Sequence, residues 1–410
     1  MGSLAMVCVA IAVAPVLAMA AGAPRRPAQR RPQNLIGYSE FRANLPTRFA
    51  NVCTRRACVV RADGTGRRES APELVKDEYT WTGFDGWSPD GRIAVVIRGW
   101  ESPENAAWEE EHKGFRMTEG WLVDEYVLDL QAGTLTNVTA VERVSDYNSG
   151  LFFWPGDPNR LGFTAILNGI SRPYSMNRDG TGKRDLTSGP GAFTYGFSAS
   201  PDGARISYHK DYQIYVADAD GSHAIHLDTG QPFNFSPQWS PDGQWLMFLA
   251  GEHYNCHPYV ACRDGSGVRK LADRGGYRGV VTYMEVEDFH GGSSDVPTWS
   301  ADGRWVYYTA KVGDAVELMR VSLEGKIEQL TRSKPGVLHY HPRPSPDGTW
   351  VLFGSNRSGV RQLYVAQADG RRPYPITHMR PGWGAMWAHW QPVADREDSA
   401  SALPVYVIRP

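Results

Sequence analysis

The chain has 410 residues, and its 43 Lys and Arg against 45 Asp and Glu leave a net charge of −2. That balance argues against a dedicated nucleic-acid binder, which carries a basic excess. With 43 Gly, 28 Pro, 14 Trp and 19 Tyr, the composition is too aromatic for disorder and too turn-rich for a helical bundle, so it points to a large all-β protein.

Residues 4–21 are apolar or small, interrupted by Pro15, and Ala18-Met19-Ala20 and Ala21-Gly22-Ala23 have the small-x-small form of a signal-peptidase site. Residues 1–23 therefore read as a secretory signal and 24–33, with Arg25, Arg26, Arg30 and Arg31, as a basic Pro-rich linker. The expectation is a periplasmic or secreted protein with no stable membrane insertion after cleavage. Cys53, Cys58, Cys256 and Cys262 remain in the exported chain. Cys256 and Cys262 flank a strand-like segment too long for a disulfide. Cys53 with Cys58 is open between a bridge and two buried thiols.

Beyond residue 34 a repeat takes over. One motif recurs as Trp87-Ser-Pro-Asp-Gly91, Ala199-Ser-Pro-Asp-Gly203, Trp239-Ser-Pro-Asp-Gly243, Trp299-Ser-Ala-Asp-Gly303 and Pro344-Ser-Pro-Asp-Gly348, with Trp154-Pro-Gly-Asp-Pro158 as a degenerate copy. It is a tight turn: Pro presets φ, Asp bonds the backbone, and Gly supplies a positive φ. A second motif, a β run ending in an Asp-Gly-like turn, alternates with it at residues 58–64, 126–133, 174–180, 215–221, 259–265, 318–325 and 363–370. One unit reads strand a, turn, strand b, loop, strand c, turn, strand d, which is a propeller blade. The N-terminal unit lacks strand a, and residues 386–392 supply a candidate. The prediction is a seven-bladed β-propeller over residues 34–393, closed by pairing N- and C-terminal strands in one blade, with a tail over 394–410.

Antiparallel strands put both short turns on one face. The long insertions, residues 42–53, 99–122, 251–257 and 273–296, fall on the other. His112, His209, His253, His257, His290, His339, His341 and His389 map to that face, joined by Arg42, Arg48, Arg98, Arg172, Lys210, Lys311 and Arg357. A basic, aromatic-rimmed concavity suits an anionic ligand.

In an extended segment residues two apart share a side, so His339 and His341 could reach one ion. With His257 and His290 from neighbouring loops they form a candidate site for a divalent metal, Zn or Mn, with Asp295, Glu252 and Gln238 as oxygen donors or supports. The alternative is a His-Pro pair that orders a turn. A second group comprises Tyr147, Asn148, Arg172, Tyr195, Tyr208, His209 and Lys210. Here His209 or Tyr195 could take a proton and Arg172 could neutralise a carboxylate, with blade packing as the alternative. Arg98, Gln238 and Trp387 complete the candidate substrate contacts. No Gly-x-Ser-x-Gly elbow, P-loop, dinucleotide fingerprint or His-Glu-x-x-His motif is present.

The Trp-Ser-Pro-Asp-Gly turn, with Tyr-Val-Ala-Asp-Ala-Asp-Gly-Ser after it, resembles the propeller repeat of TolB-like proteins over almost all of the mature chain. His339-Tyr-His341-Pro-x-Pro-Ser-Pro-Asp-Gly, running into Val351-Leu-Phe-Gly-Ser-Asn356, is similar to the end of oligogalacturonate lyases. Those propellers cleave uronate chains by β-elimination with a divalent metal, typically manganese. The resemblance implies metal binding at His339 and His341. It departs at Ser236, where the family has a catalytic histidine, and at Gly336, where a metal-binding glutamine is expected; ulvan lyases, which use His, Tyr and Arg, are a looser likeness. The leading expectation is an exported, monomeric, metal-containing lyase of an acidic polysaccharide or oligosaccharide, using His209 or Tyr195 as base and Arg172 on the uronate. Its rivals are a non-catalytic TolB-like periplasmic binding propeller and a metal-dependent glycan hydrolase.

Overall fold

A computed structural model of the chain describes residues 31–116, 118–187, 194–279 and 295–392. The expected signal, most of the linker, the tail and His290 lie outside the described residues. The fold is all-β, built of four-stranded antiparallel meanders. Five sheets have four strands, and one eight-stranded sheet joins two meanders through a short parallel pairing of Leu122 and Val123 with Asp146 and Tyr147. Strand Leu35–Arg42 pairs antiparallel with Trp383–Trp390, placing Ile36 opposite Trp390, so the two ends of the described chain share a sheet.

The Ser-Pro-Asp-Gly repeat works through a hydroxyl as well as the residues expected to shape the turn. Ser88 Oγ donates to Asp90 (2.6 Å) while accepting from the Ile93 amide (2.9 Å), and Gly91 N donates to the Ser88 carbonyl (2.9 Å). Ser240, Ser300 and Ser345 repeat this arrangement. The Ser200 hydroxyl holds Asp202 well below the usual carboxylate range, at about 2.

Glycines of the second turn meet the preceding unit. A Cβ on Gly221, whose φ is +87°, would lie 1.6 Å from the Leu186 carbonyl oxygen, and Gly180 and Gly370 stand in the same relation to Val138 and Leu330. Gly221→Ala therefore combines a left-handed backbone with a backbone clash. It should cost about 2 kcal/mol or more, read as a fall in thermal midpoint.

Strands such as Ile93–Glu101 are buried on both sides because neighbouring sheets cover both faces. Thus Ile36, Tyr38 and Val60 of one unit pack with Trp350, Leu352 and Val365 of another in one apolar cluster. Two long insertions contain helices: α1 (Arg48–Cys53), capped by Thr47, and α2 (Pro103–His112), capped by Ser102. The four described cysteines are free thiols. No helix among the described residues is long and apolar enough to cross a membrane.

Candidate functional site

The first strands of the units bond to one another in succession. Ser198 Oγ donates to the Pro237 carbonyl, Gln238 Nε2 to Pro297, Thr298 Oγ1 to Pro342, Trp390 Nε1 to Arg343, and Trp87 Nε1 to His389. These strands form a common inner wall. Along it the register shifts between Phe84 and Gly86, Ser149 and Phe152, Tyr195 and Ser198, Phe235 and Gln238, and Tyr340 and Arg343. Ser236, His341 and Trp387 sit at such irregularities with φ of +50°, +50° and +51°. Bulges re-aim side chains and concentrate backbone strain, a pattern associated with functional surfaces.

On one side of the wall lies a carboxyl pair. Asp85 occupies the shift in Thr80–Trp87, and fully buried Glu125 comes from Trp121–Asp129. The two carboxyls are within hydrogen-bonding reach. Both Glu125 oxygens and Asp85 Oδ2 are buried without a protein donor, which one shared proton would relieve. Burial, and then the neighbouring Asp85 charge, pushes Glu125 far above the usual carboxylate range. Asp85 is also raised by burial, against opposition from Arg55, Glu125 and the Leu151 and Gly150 amides. Both carboxyls are raised, Glu125 the more strongly, as suits a pair that holds one proton between them. The Arg55 guanidinium sits 4.8 Å from the Trp81 ring and 4.5 Å from Trp387, a cation–π arrangement. Tyr147 packs edge-on to Trp121 at 6.3 Å. Burial raises its phenol, and the nearby Tyr195 raises it further.

The other side is basic. Arg343 and His389 come from adjacent first strands, His339–Pro344 and Trp383–Trp390. Burial drives His389 down to about 3, reinforced by the charges of Arg343 and His341. Asp295, only 1% exposed, has both oxygens engaged: Oδ1 accepts from the His341 amide (2.8 Å), Oδ2 from Tyr277 Oη (3.0 Å) and Thr309 Oγ1 (2.6 Å).

The expected metal set is dispersed among the described residues. His257 Nδ1 accepts from the Arg274 amide (3.2 Å), while Nε2 lies 3.7 Å from Asp273. Fully buried His339 has Nε2 2.9 Å from Ser333 Oγ and 3.4 Å from Arg357, and burial holds it at about 3. His341 departs from the same strand side because the bulge breaks the alternation that was to align it with His339. No group of three or more His, Cys, Asp or Glu side chains among the described residues is placed to hold a metal ion. The described members of the expected set, His257, His339 and His341, do not fit a shared ion.

The proposed catalytic set is divided as well. His209 belongs to strand Arg205–Lys210 rather than a loop, is 2% exposed, and its Nδ1 accepts from the Ser236 amide (3.3 Å). Tyr195 is its cross-strand partner, with ring centroids 5.9 Å apart. Arg172 pairs with Asp185 at 2.8 Å on the outer part of its unit. Ser171 reaches the Thr194 carbonyl, so Arg172, one residue on, points to the opposite face. Gln238 serves the wall through its bond to Pro297, Asn148 is buried in its strand, and Arg98 lies 3.4 Å from Tyr126 Oη. Lys210 ends its strand, half-buried. Tyr147 and Trp387 are the predicted residues that meet Asp85, Glu125 and Arg55, with Tyr195 beside Tyr147.

Residues 212–392 match the family model described as the TolB beta propeller domain, PD40. That segment carries a TolB-like propeller domain. TolB of Bordetella pertussis is 32% identical over 162 residues, 39% of this chain and 33% of that protein, so the chain spans about a third of this relative. Among solved structures, an oligogalacturonate lyase from Vibrio parahaemolyticus aligns with a TM-score of 0.51 at 13% identity, covering 84% of this chain and 86% of that one. A Mycobacterium tuberculosis puromycin-hydrolyzing peptidase aligns at 0.55 and 12% identity, covering 86% and 53%. At these identities the likeness is one of fold.

What sequence reasoning missed in this TolB-like propeller had a signal. Asp85 is the one charged residue of its strand, and Glu125 stands beside Asp124 inside a largely apolar one; a buried acid in a β run calls for a partner. Arg55 lies two residues past α1, just outside the 42–53 insertion.

Proposed function

We propose that this is an exported, seven-bladed TolB-like propeller, closed through Leu35–Arg42 and Trp383–Trp390, whose axial channel binds an acidic saccharide chain without cleaving it. The observation that carries the reading is the inner wall itself, where Trp387, Tyr147 and Tyr195 stand with Arg55 on one side and Arg343 on the other. Rings stack on sugar faces and guanidinium groups receive carboxylates. The chemistry of elimination is less well served. A base must be unprotonated and accessible, yet Tyr147 is pushed upward and His209 is buried with Nδ1 engaged.

A metal-assisted uronate lyase is the second reading, favoured by His341 and His389 lying close on neighbouring first strands. One experiment separates the two. Polygalacturonate, ulvan and glycosaminoglycans are titrated into the mature protein by calorimetry, and each mixture is then followed for the ultraviolet absorbance of an unsaturated uronate, with and without added Mn or Zn. Saturable binding with no chromophore is the expected result. A metal-dependent chromophore would establish the lyase instead, and failure to bind any acidic glycan would overturn the binding reading.

A further inference from the structure

We propose that Arg343, with His389 beside it, forms an oxyanion subsite in the inner wall that receives a carboxylate, sulfate or phosphate group of the ligand. The inference rests on the channel-binding reading and names the group held at one point of it.

Three observations converge on Arg343. Its strand, His339–Pro344, is a first strand, and its side chain is only half-buried on the wall shared with Trp383–Trp390. Its guanidinium has one hydrogen bond among the described residues, a long one of 3.4 Å to Thr298 Oγ1, and it takes part in no ion pair there. The nearby carboxylate is committed elsewhere: Asp295 takes the His341 amide on one oxygen and the Tyr277 and Thr309 hydroxyls on the other.

A partly enclosed guanidinium bonded to no carboxylate among the described residues is costly, and an arriving anion would relieve that cost. Its planar fork matches the paired oxygens of a carboxylate, sulfate or phosphate. His389, on the adjacent strand, adds a polar ring close to the same charge. By contrast, Arg172, Arg320 and Arg67 are each neutralised by a carboxylate of the protein. Arg343 thus combines a place on the wall with a guanidinium that no carboxylate among the described residues bonds.

Acetate, sulfate, inorganic phosphate and a galacturonate trisaccharide are titrated into the mature wild-type protein and the R343Q, R343K and R55Q variants. Maltotriose is the neutral control, and circular dichroism checks each fold. Saturable binding of at least one anion is expected, weakened roughly tenfold to hundredfold in R343Q and less in R343K, with maltotriose unaffected by either. Preference for acetate and the trisaccharide assigns a carboxylate, and preference for phosphate or sulfate assigns those groups; each supports the subsite. If R55Q weakens the trisaccharide while R343Q binds every anion as the wild type does, the subsite is overturned and the channel reading stands. If the trisaccharide fails to bind the wild type and no small anion saturates, both fall. Should R343Q not fold, R343K carries the test, and unchanged anion affinity in it overturns the bidentate subsite.

Discussion

Arg48→Met should cost about 3–5 kcal/mol of folding stability, measured by urea unfolding, because it strands two buried carboxylates. Arg48 sits in α1 with its side chain wholly buried. It is bidentate to Glu101 at 3.0 and 2.7 Å and lies 2.9 Å from Glu109 of α2. Glu109 also accepts from Trp121 Nε1 (3.0 Å) and the Arg116 amide (2.7 Å), so the one guanidinium pins both helical insertions to the sheet beneath. Burial, outweighing Arg48, already lifts Glu101 to about 7. Without the arginine Glu101 should take up a proton more readily, so the loss is expected to be smaller at pH 5 than at pH 8. Adding Glu101→Gln should recover part of it by removing one stranded charge. A loss that stays under 1 kcal/mol at both pH values would show that the triad contributes little to holding the insertions.

Glu125→Gln should leave the protein more stable than the wild type at high pH and should flatten its pH dependence. The folded-state value of Glu125 is raised, so folding takes up a proton. The associated stability is complete below the unfolded carboxylate value. It then declines as pH climbs toward the folded value, by up to about 1.4 kcal/mol for each pH unit in that window. Gln keeps a donor for Asp85 and has nothing to ionise. Chemical unfolding at pH 5 and pH 8 should show the wild type losing stability between the two and E125Q holding most of its own. Equal slopes for both proteins would mean that the carboxyl pair is not the titrating feature. Glu125→Leu separates charge from hydrogen bonding: it too lacks the titration, but it leaves Asp85 without its donor and should be less stable than E125Q at both pH values.

The four-strand repeat was legible because its turns are encoded locally. Ser88, Asp90 and Gly91 bond within a few residues of one another, and so do their counterparts at Ser240, Ser300 and Ser345. The site was less legible because it depends on how strands deviate from regularity. His339 and His341 were expected to share a side, but the positive φ at His341 gives them different surroundings. Nothing in His-Tyr-His-Pro specifies that bulge; it is visible only against the partner strand Trp350–Ser355. The division of Arg172 from His209 has a similar origin, since the strand positions allowed both to approach one wall while the side-chain alternation and the Asp185 pair did not. Trp387 and Tyr147 could be found as aromatics on first strands, but their neighbour Arg55 enters from the segment after α1.

The pairing of Leu35–Arg42 with Trp383–Trp390 also has a consequence in time. The Leu35 amide donates to the side chain of Gln391, 356 residues further along. Strand Leu35–Arg42 is made well before its partner Trp383–Trp390, so one of its edges stays open in the interval. That sheet is begun with Leu35–Arg42 and completed only with Trp383–Trp390. An open edge awaiting so distant a partner favours slow maturation and invites pairing with a second nascent chain. It also makes strand Trp383–Trp390 the natural place for a disruption to be felt far away in the sequence, in a sheet whose other three strands lie between Leu35 and Glu69.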